Sequence, residues 1–493
     1  MNERLDFAPD DIVIPSGHFI DGQVQSTDDD MIEVVRPSDG RFLGRIPDGS
    51  QETVERAVAS AWNAFKTSGW PVRAPRERGK VLRRWARLIE ENVTELARLE
   101  AVGSTRPIAE ATAGDIPTTA DLIRYYGEYA DKLEGTVTST SADVTSLLVK
   151  EPYGVVAAIV AWNTPLVNAA VKIGAALAAG NALIVKPSEL TPFSLLKLCQ
   201  LATEAGVPPG LLGVVNGRGD TAGARLVRHP DVRKVSFTGS TATGARIMQD
   251  AAATGPKPVT LELGGKSPMI VFEDAPDIDR IVTMLARGVV HNAGQVCTCG
   301  SRLLVERSAR DQVVSKLISA MSALTPGATW LGGTTLGPII NHRQLQRIET
   351  LISQSLGGGG RVIAGGTRIE NEGGAFFLPT VLEAVDEGNA GFLNEFFGPI
   401  TAVQTFSDVD EAVALAAHPT YGLAASVFTG NLKTAMHIAR RIEAGSIRVN
   451  QHSRAPEFTA AAGGFKGSGF GKDWGRPGIE GYLREKTIWI NHG

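Results

Sequence analysis

Cysteine is scarce in this chain: Cys199, Cys297 and Cys299 are the only three among 493 residues. So small and odd a number builds no disulfide framework, and a chain of this length has core enough without one. Cys297 and Cys299 lack a second Cys or His pair at ligand spacing, so no metal site is expected. Long apolar runs are missing too. No stretch reaches the ~18 residues that a membrane span requires, and the polar start Met1-Asn2-Glu3-Arg4-Leu5-Asp6 does not lead into the apolar run of a signal peptide. The expectation is a cytoplasmic protein with no membrane partner. Charge of one sign is lacking as well: the formal net charge is −4, with no basic block, which argues against nucleic acid as a partner.

What is present is the composition of a folded protein, 43% apolar and 21% charged. The length exceeds the ~250–300 residues at which one core stops growing, so two or three domains are expected. Arg78 to Val102 places Leu82, Trp85, Leu88, Ile89, Val93 and Leu96 at helical spacing and predicts one amphipathic helix. Beyond Pro152 the rhythm changes. Strand-like runs at Val155–Trp162, Ala182–Val185, Leu211–Val214, Val232–Phe237 and Val259–Leu263 alternate with helical stretches at Pro165–Ala179, Pro192–Ala205, Thr221–Arg228 and Thr241–Ala253. Strict alternation predicts a parallel, doubly wound sheet. A second α/β series begins after Pro268, with strand-like runs at Met269–Phe272, Arg302–Val305, Ala424–Phe428 and Ile447–Asn450. Val144–Val149 and Lys486–Ile490 are short β-like segments suited to pairing with each other or with another subunit.

Five local patterns carry possible chemistry, and each has two readings. Cys297 sits among Gly and small polar residues in Asn292-Ala293-Gly294-Gln295-Val296-Cys297-Thr298-Cys299-Gly300, as an accessible nucleophile would, although a free cysteine is commonly a small buried apolar group. Glu262, between Leu261 and Leu263 at a strand end, is either a carboxylate with a raised pKa, as a general base needs, or an edge residue before a turn. Phe237-Thr238-Gly239-Ser240-Thr241 marks a strand giving way to a capped helix, whose N-terminus either faces a pyrophosphate or is simply capped. Lys186 and Glu189, three residues apart at another strand end, either hold ribose hydroxyls or form a solvated pair. Asn163, in Ala161-Trp162-Asn163-Thr164-Pro165, either donates to an oxyanion or forms a turn.

Taken in order, these segments, with Asn394-Glu395-Phe396-Phe397-Gly398-Pro399 and Gly463-Gly464-Phe465-Lys466-Gly467 downstream, resemble the aldehyde dehydrogenase superfamily over nearly the whole chain. The resemblance implies an α/β fold: a doubly wound nucleotide-binding domain from residues 1–131 and 150–261, an α/β catalytic domain over 262–462, and small β oligomerisation segments at 132–149 and 476–493. It implies oxidation of a small-molecule aldehyde to a carboxylic acid by a homodimer or homotetramer, with NAD as cofactor and NADP as a possible substitute. Cys297 aligns with the nucleophile, Glu262 with the base that activates water, and Asn163 with the oxyanion donor. Val160, Trp162, Lys186, Ser188, Glu189, Gly219, Gly239, Ser240, Glu395 and Phe397 align with the family's cofactor site. Glu189 would accept from a free 2′-hydroxyl and repel a 2′-phosphate, which favours NAD.

Two rival classes share the resemblance: a CoA-acylating relative, which has no need of Glu262, and a non-catalytic protein that keeps the fold. The chain also departs from the family. Thr164 and the run Thr459-Ala460-Ala461-Ala462 stand where aromatics are frequent, arguing against a slot for flat aromatic aldehydes. Asn168, His452 and Arg454 add polarity, and an oxygenated or acid-bearing aldehyde is the resulting expectation.

Overall fold

The computed structural model describes residues 5–370, 373–383, 386–452 and 457–493. The fold is α/β, with two large mixed sheets and a small antiparallel one. The first large sheet has eight strands, and its middle five are parallel in the spatial order Leu212–Val214, Ala182–Lys186, Val155–Ile159, Lys234–Thr238, Val259–Glu262. The chain therefore winds outward in one direction from Val155–Ile159 and then returns to its other side. That reversal opens a crevice at the carboxyl ends of the strands, where open α/β sheets bind ligands. Val155–Ile159 and Ala182–Lys186 are buried along their whole length, so they read as unbroken apolar runs instead of alternating ones.

Several predicted elements differ in their ends, for local reasons. The single helix expected over 78–102 is two, Pro75–Glu91 and Val93–Gly103. At the break the Asn92 side chain donates to the Leu88 carbonyl at 2.8 Å, competing with the helix ladder as Asn does when it ends a turn. The segment 221–228 starts as a wide turn at Gly219–Gly223 and becomes helical only at Ala224–Arg228.

The second large sheet runs Arg361–Ala364, Thr380–Glu383, Ile400–Phe406, Arg302–Glu306, Pro268–Val271, Ala424–Phe428, Ser446–Val449. All neighbours are parallel except the first pair. Val144–Pro152 pairs antiparallel with Leu483–Asn491 in the small sheet, so the two β-like segments of the sequence do meet each other. Its outer strand leaves Trp489 77% exposed, with Ile488 and Ile490 beside it.

Arg302, at the start of its strand, ties three segments together. Its guanidinium is buried and donates to the carbonyls of Lys266, Leu415, Ala416 and Ala417 at 2.7 to 3.2 Å. Arg302→Met removes every one of these donors and leaves buried carbonyls unpaired, which should cost about 3 kcal/mol. The expected outcome is a lower urea midpoint; a midpoint equal to that of the wild type would mean that the carbonyls find other donors.

Candidate active site

Most of the residues singled out in the sequence arrive at one edge of the first sheet. Val160 follows the strand Val155–Ile159 and donates its N–H to the Lys186 carbonyl at 3.1 Å, while the Gly239 N–H donates to the Glu262 carbonyl at 3.0 Å. These two bonds bring neighbouring strand ends level. Lys186 is buried, and its Nζ lies 3.1 Å from Glu189 Oε2; burial pulls the Lys186 pKa down despite that carboxylate. The Ser188 hydroxyl accepts from the Leu190 N–H at 3.3 Å. Gly219 opens the turn that faces this strand end, and a side chain added there would meet only open space. Ser240 caps the helix Thr241–Ala253 by accepting from the Thr243 N–H at 3.2 Å.

Cys297 comes from the other large sheet. The helix Ile278–Val290 ends before a turn in which Asn292, Ala293 and Gly294 all have positive φ, between 50° and 71°. At Gly294 a Cβ would lie 2.0 Å from the Gly398 carbonyl oxygen, so only glycine passes there. Gln295, fully buried, locks the turn by donating to the carbonyls of Asn292 and Pro338 and accepting from the Ile340 N–H. Cys297 emerges half-buried, and burial followed by the carboxylates Glu262 and Glu395 pushes its thiol up to about 12. Asn163 lies behind this turn: its Nδ2 donates to the Gln295 carbonyl at 3.0 Å, and its Oδ1 accepts from Asn168. One of its two amide hydrogens is thus committed to the turn.

The segment after Glu262 makes the junction. A Cβ on Gly264 would lie 2.5 Å from Glu395 Oε2, and one on Gly265 would lie 2.6 Å from the Cys297 carbonyl. Both glycines are therefore places where the Cys297 turn and Glu395 press against the end of the Glu262 strand. Glu395 is held by the Gly265 N–H at 3.0 Å, and burial raises its pKa. Phe397 meets Trp162 edge to face at 5.3 Å between ring centres. A cavity of about 520 Å³ opens at this junction, lined by both Cys297 and Glu262.

Four lining or supporting residues escaped the sequence reading. Lys172, fully buried on the helix Pro165–Ala178, pairs with Asp473 at 3.0 Å and donates to Ser236 Oγ at 3.0 Å. Asp473 in turn lies against Glu262. Burial, then the Asp473 charge, raises the Glu262 carboxyl well above the carboxylate range, while Lys172 and Lys472 pull it back. A lone Lys inside the run Ala169-Ala170-Val171-Lys172-Ile173 was the available signal, since an uncompensated buried cation is costly. Trp474 and Arg448 line the cavity without any local pattern to announce them.

One expectation is corrected. His452 is not a cavity residue: it is buried, its Nδ1 is 3.0 Å from Ser426 Oγ, and its ring packs where Gly288 leaves room. Burial drives its pKa down to about 3, so it is neutral. Arg454 lies outside the described residues.

Accessibility separates the three thiols, since Cys199 and Cys299 are buried. Iodoacetamide should label Cys297 first by peptide mass spectrometry, at a rate still climbing through pH 9 because thiolate is the reactive form. A plateau near pH 8 would contradict the raised thiol.

Comparison with known proteins accords with this geometry. The aldehyde dehydrogenase family profile matches residues 24–488. The NADP/NAD-dependent aldehyde dehydrogenase PuuC of Escherichia coli K12 is 38% identical over 482 residues, covering 97% of this chain and 96% of the relative. Among solved structures, the indole-3-acetaldehyde dehydrogenase AldA of P. syringae, in complex with NAD+ and IAA, superposes with a TM-score of 0.95 at 39% identity, covering 98% of each chain. The γ-glutamyl-γ-aminobutyraldehyde dehydrogenase of Burkholderia cenocepacia gives the same TM-score and coverage at 40% identity. The chain belongs to the aldehyde dehydrogenase family.

Proposed function

We propose that this protein oxidises an aldehyde to its carboxylic acid with NAD, through a covalent intermediate on Cys297. The observation that carries the reading is the single cavity lined by a nucleophilic sulfur and a carboxyl of raised pKa. Cys297 Sγ gives up its proton to water in the cavity and adds as the thiolate to the aldehyde carbon. Oxyanion charge appears opposite, where the Cys297 N–H and the uncommitted amide hydrogen of Asn163 are the donors to hand. Collapse of that oxyanion leaves a thioester on Cys297 and releases a hydride, for which a bound nicotinamide would supply the acceptor.

The crevice fits such a cofactor. Lys186 and Glu189 suit an adenosine ribose, Gly219 leaves space beside it, and the helix N-terminus at Ser240 suits a pyrophosphate. Gly239, Val160 and Ser188 stand at the same strand ends and would lie beneath the cofactor. Glu395, held by Gly265, suits the second ribose, with Trp162 and Phe397 as an aromatic wall. In this assignment the first large sheet is the nucleotide-binding part and the second the catalytic part, and the small sheet joins subunits through the exposed edge at Trp489. The free thiols fit the reducing cytoplasm.

Glu262 completes the cycle by taking a proton from water that attacks the Cys297 thioester. A carboxylate so placed favours water over CoA as acyl acceptor. Product analysis with propanal and NAD should give acid whether or not CoA is present. Cys297→Ala should abolish turnover, and Glu262→Gln should slow it by about 100-fold or more while a burst of NADH remains; acyl-CoA formation, or activity surviving Cys297→Ala, would refute the assignment. Because only the unprotonated base works, activity should fall as pH falls through a value above the usual carboxylate range. Lys172→Met removes a charge that lowers the Glu262 pKa and should move this limb to higher pH, whereas Asp473→Asn should move it lower, each read from a pH–rate profile.

A further inference from the structure

The other deeply buried arginines all have protein partners for their charge or their donors, although Arg106 Nη1, like that of Arg448, has no acceptor. Arg106 pairs with Asp115 and Glu110, Arg302 donates to a ring of carbonyls, and Arg78 donates to the carbonyls of Ala178 and Arg73. Arg448 differs. It sits on the strand Ser446–Val449, the outer strand of the second sheet, and its side chain lines the cavity that holds Cys297 and Glu262. Its Nη1 is buried without an acceptor, and no carboxylate stands within ion-pair distance among the described residues. Of the acidic residues that share the cavity, Asp473 is engaged with Lys172 and Glu457 with the Thr459 N–H at 3.0 Å, and Glu262, whose Oε1 has no hydrogen-bond partner, is not within ion-pair distance of Arg448.

A guanidinium nitrogen withdrawn from water with no acceptor is costly, and the cost is relieved by an anion that enters with the substrate. Its planar fork matches a carboxylate through two parallel N–H donors. The remaining walls agree. Ala460, Ala461 and Ala462 leave width for a flexible chain, and Asn168, Thr298 and Gln451 are polar along it. The geometry points to Arg448 as the residue that selects the substrate: an aliphatic aldehyde bearing a carboxylate at its far end, a semialdehyde of a dicarboxylic acid, with the carboxylate on the guanidinium and the carbonyl at Cys297. This rests on the aldehyde-oxidation reading above and adds the substrate class to it.

The test compares succinic semialdehyde, butanal and betaine aldehyde, a cationic aldehyde, with the wild type, Arg448→Gln and Arg448→Lys. Wild type should prefer the semialdehyde to butanal by about tenfold or more in kcat/KM and take betaine aldehyde poorly. Arg448→Gln should collapse the semialdehyde-to-butanal ratio by about fiftyfold, chiefly through KM, the loss of a charge-assisted pair. Arg448→Lys, which keeps the charge but not the fork, should restore part of the ratio and so separates recognition from damage to the fold. Succinate, as a dead-end probe, should change the tryptophan fluorescence of the wild type through Trp474 and leave Arg448→Gln unaffected. Equal use of butanal and the semialdehyde, or equal losses on both in Arg448→Gln, would overturn the proposal. Oxidation of no aldehyde, with Arg448-dependent succinate binding intact, would instead defeat the reaction assignment and leave the anion site standing; with no such binding, the anion site falls too.

Discussion

Two glycines after Glu262 bear on everything else, because they are where the sheets touch. The strand Val259–Glu262 ends the parallel run of the first sheet, and the next residues must leave it while letting the Cys297 turn and the Glu395 carboxylate approach to within van der Waals contact of backbone. Any side chain at 264 or 265 would occupy that space. From this contact follow the position of Cys297 over the cavity, the anchoring of Glu395 by the Gly265 N–H, and the shared wall between the Glu262 carboxyl at the end of one sheet and the sulfur on the turn that leads into the other.

The junction is also where charges are taken out of water. Lys172, Asp473 and Glu262 come from a helix, the loop before the last helix, and a strand end, and only their mutual arrangement makes burial tolerable. Lys172 offsets Asp473, and the charge left on Asp473 acts on Glu262, keeping its carboxyl easier to protonate than an exposed one. Turn rigidity complements the electrostatics. Asn292, Ala293 and Gly294 in the left-handed region are strained unless held, and the three hydrogen bonds of the Gln295 side chain hold them. The Cys297 sulfur on such a turn has little freedom to drift within the cavity.

How far the sequence was legible varied with the range of the forces involved. Periodicity located Thr241–Ala253 and Ala424–Phe428 to the residue, because an apolar pattern and a cap lie within the element itself. It ran through Asn92, where a side chain bonding its own backbone broke a helix whose apolar spacing continued unbroken. Polarity in the loop after Asn450 pointed to His452, yet that ring turns inward to Ser426, and the cation at the cavity is Arg448 on the preceding strand. A strand sends alternate residues to opposite faces, and nothing local says which face borders the site.

By itself, the sequence determined the family and the α/β architecture with its parallel central strands, and it drew attention to Cys297, Glu262 and the strand-end residues around the crevice, because each belongs to a short segment whose chemistry and backbone demands are complete within a few residues. Only the tertiary structure decided that Lys172 meets Asp473, 301 positions away, that Gly264 and Gly265 serve the other sheet, and that Arg448 lines the cavity with its Nη1 lacking an acceptor. Those facts depend on which surfaces pack together, and packing is settled by the burial of the whole chain.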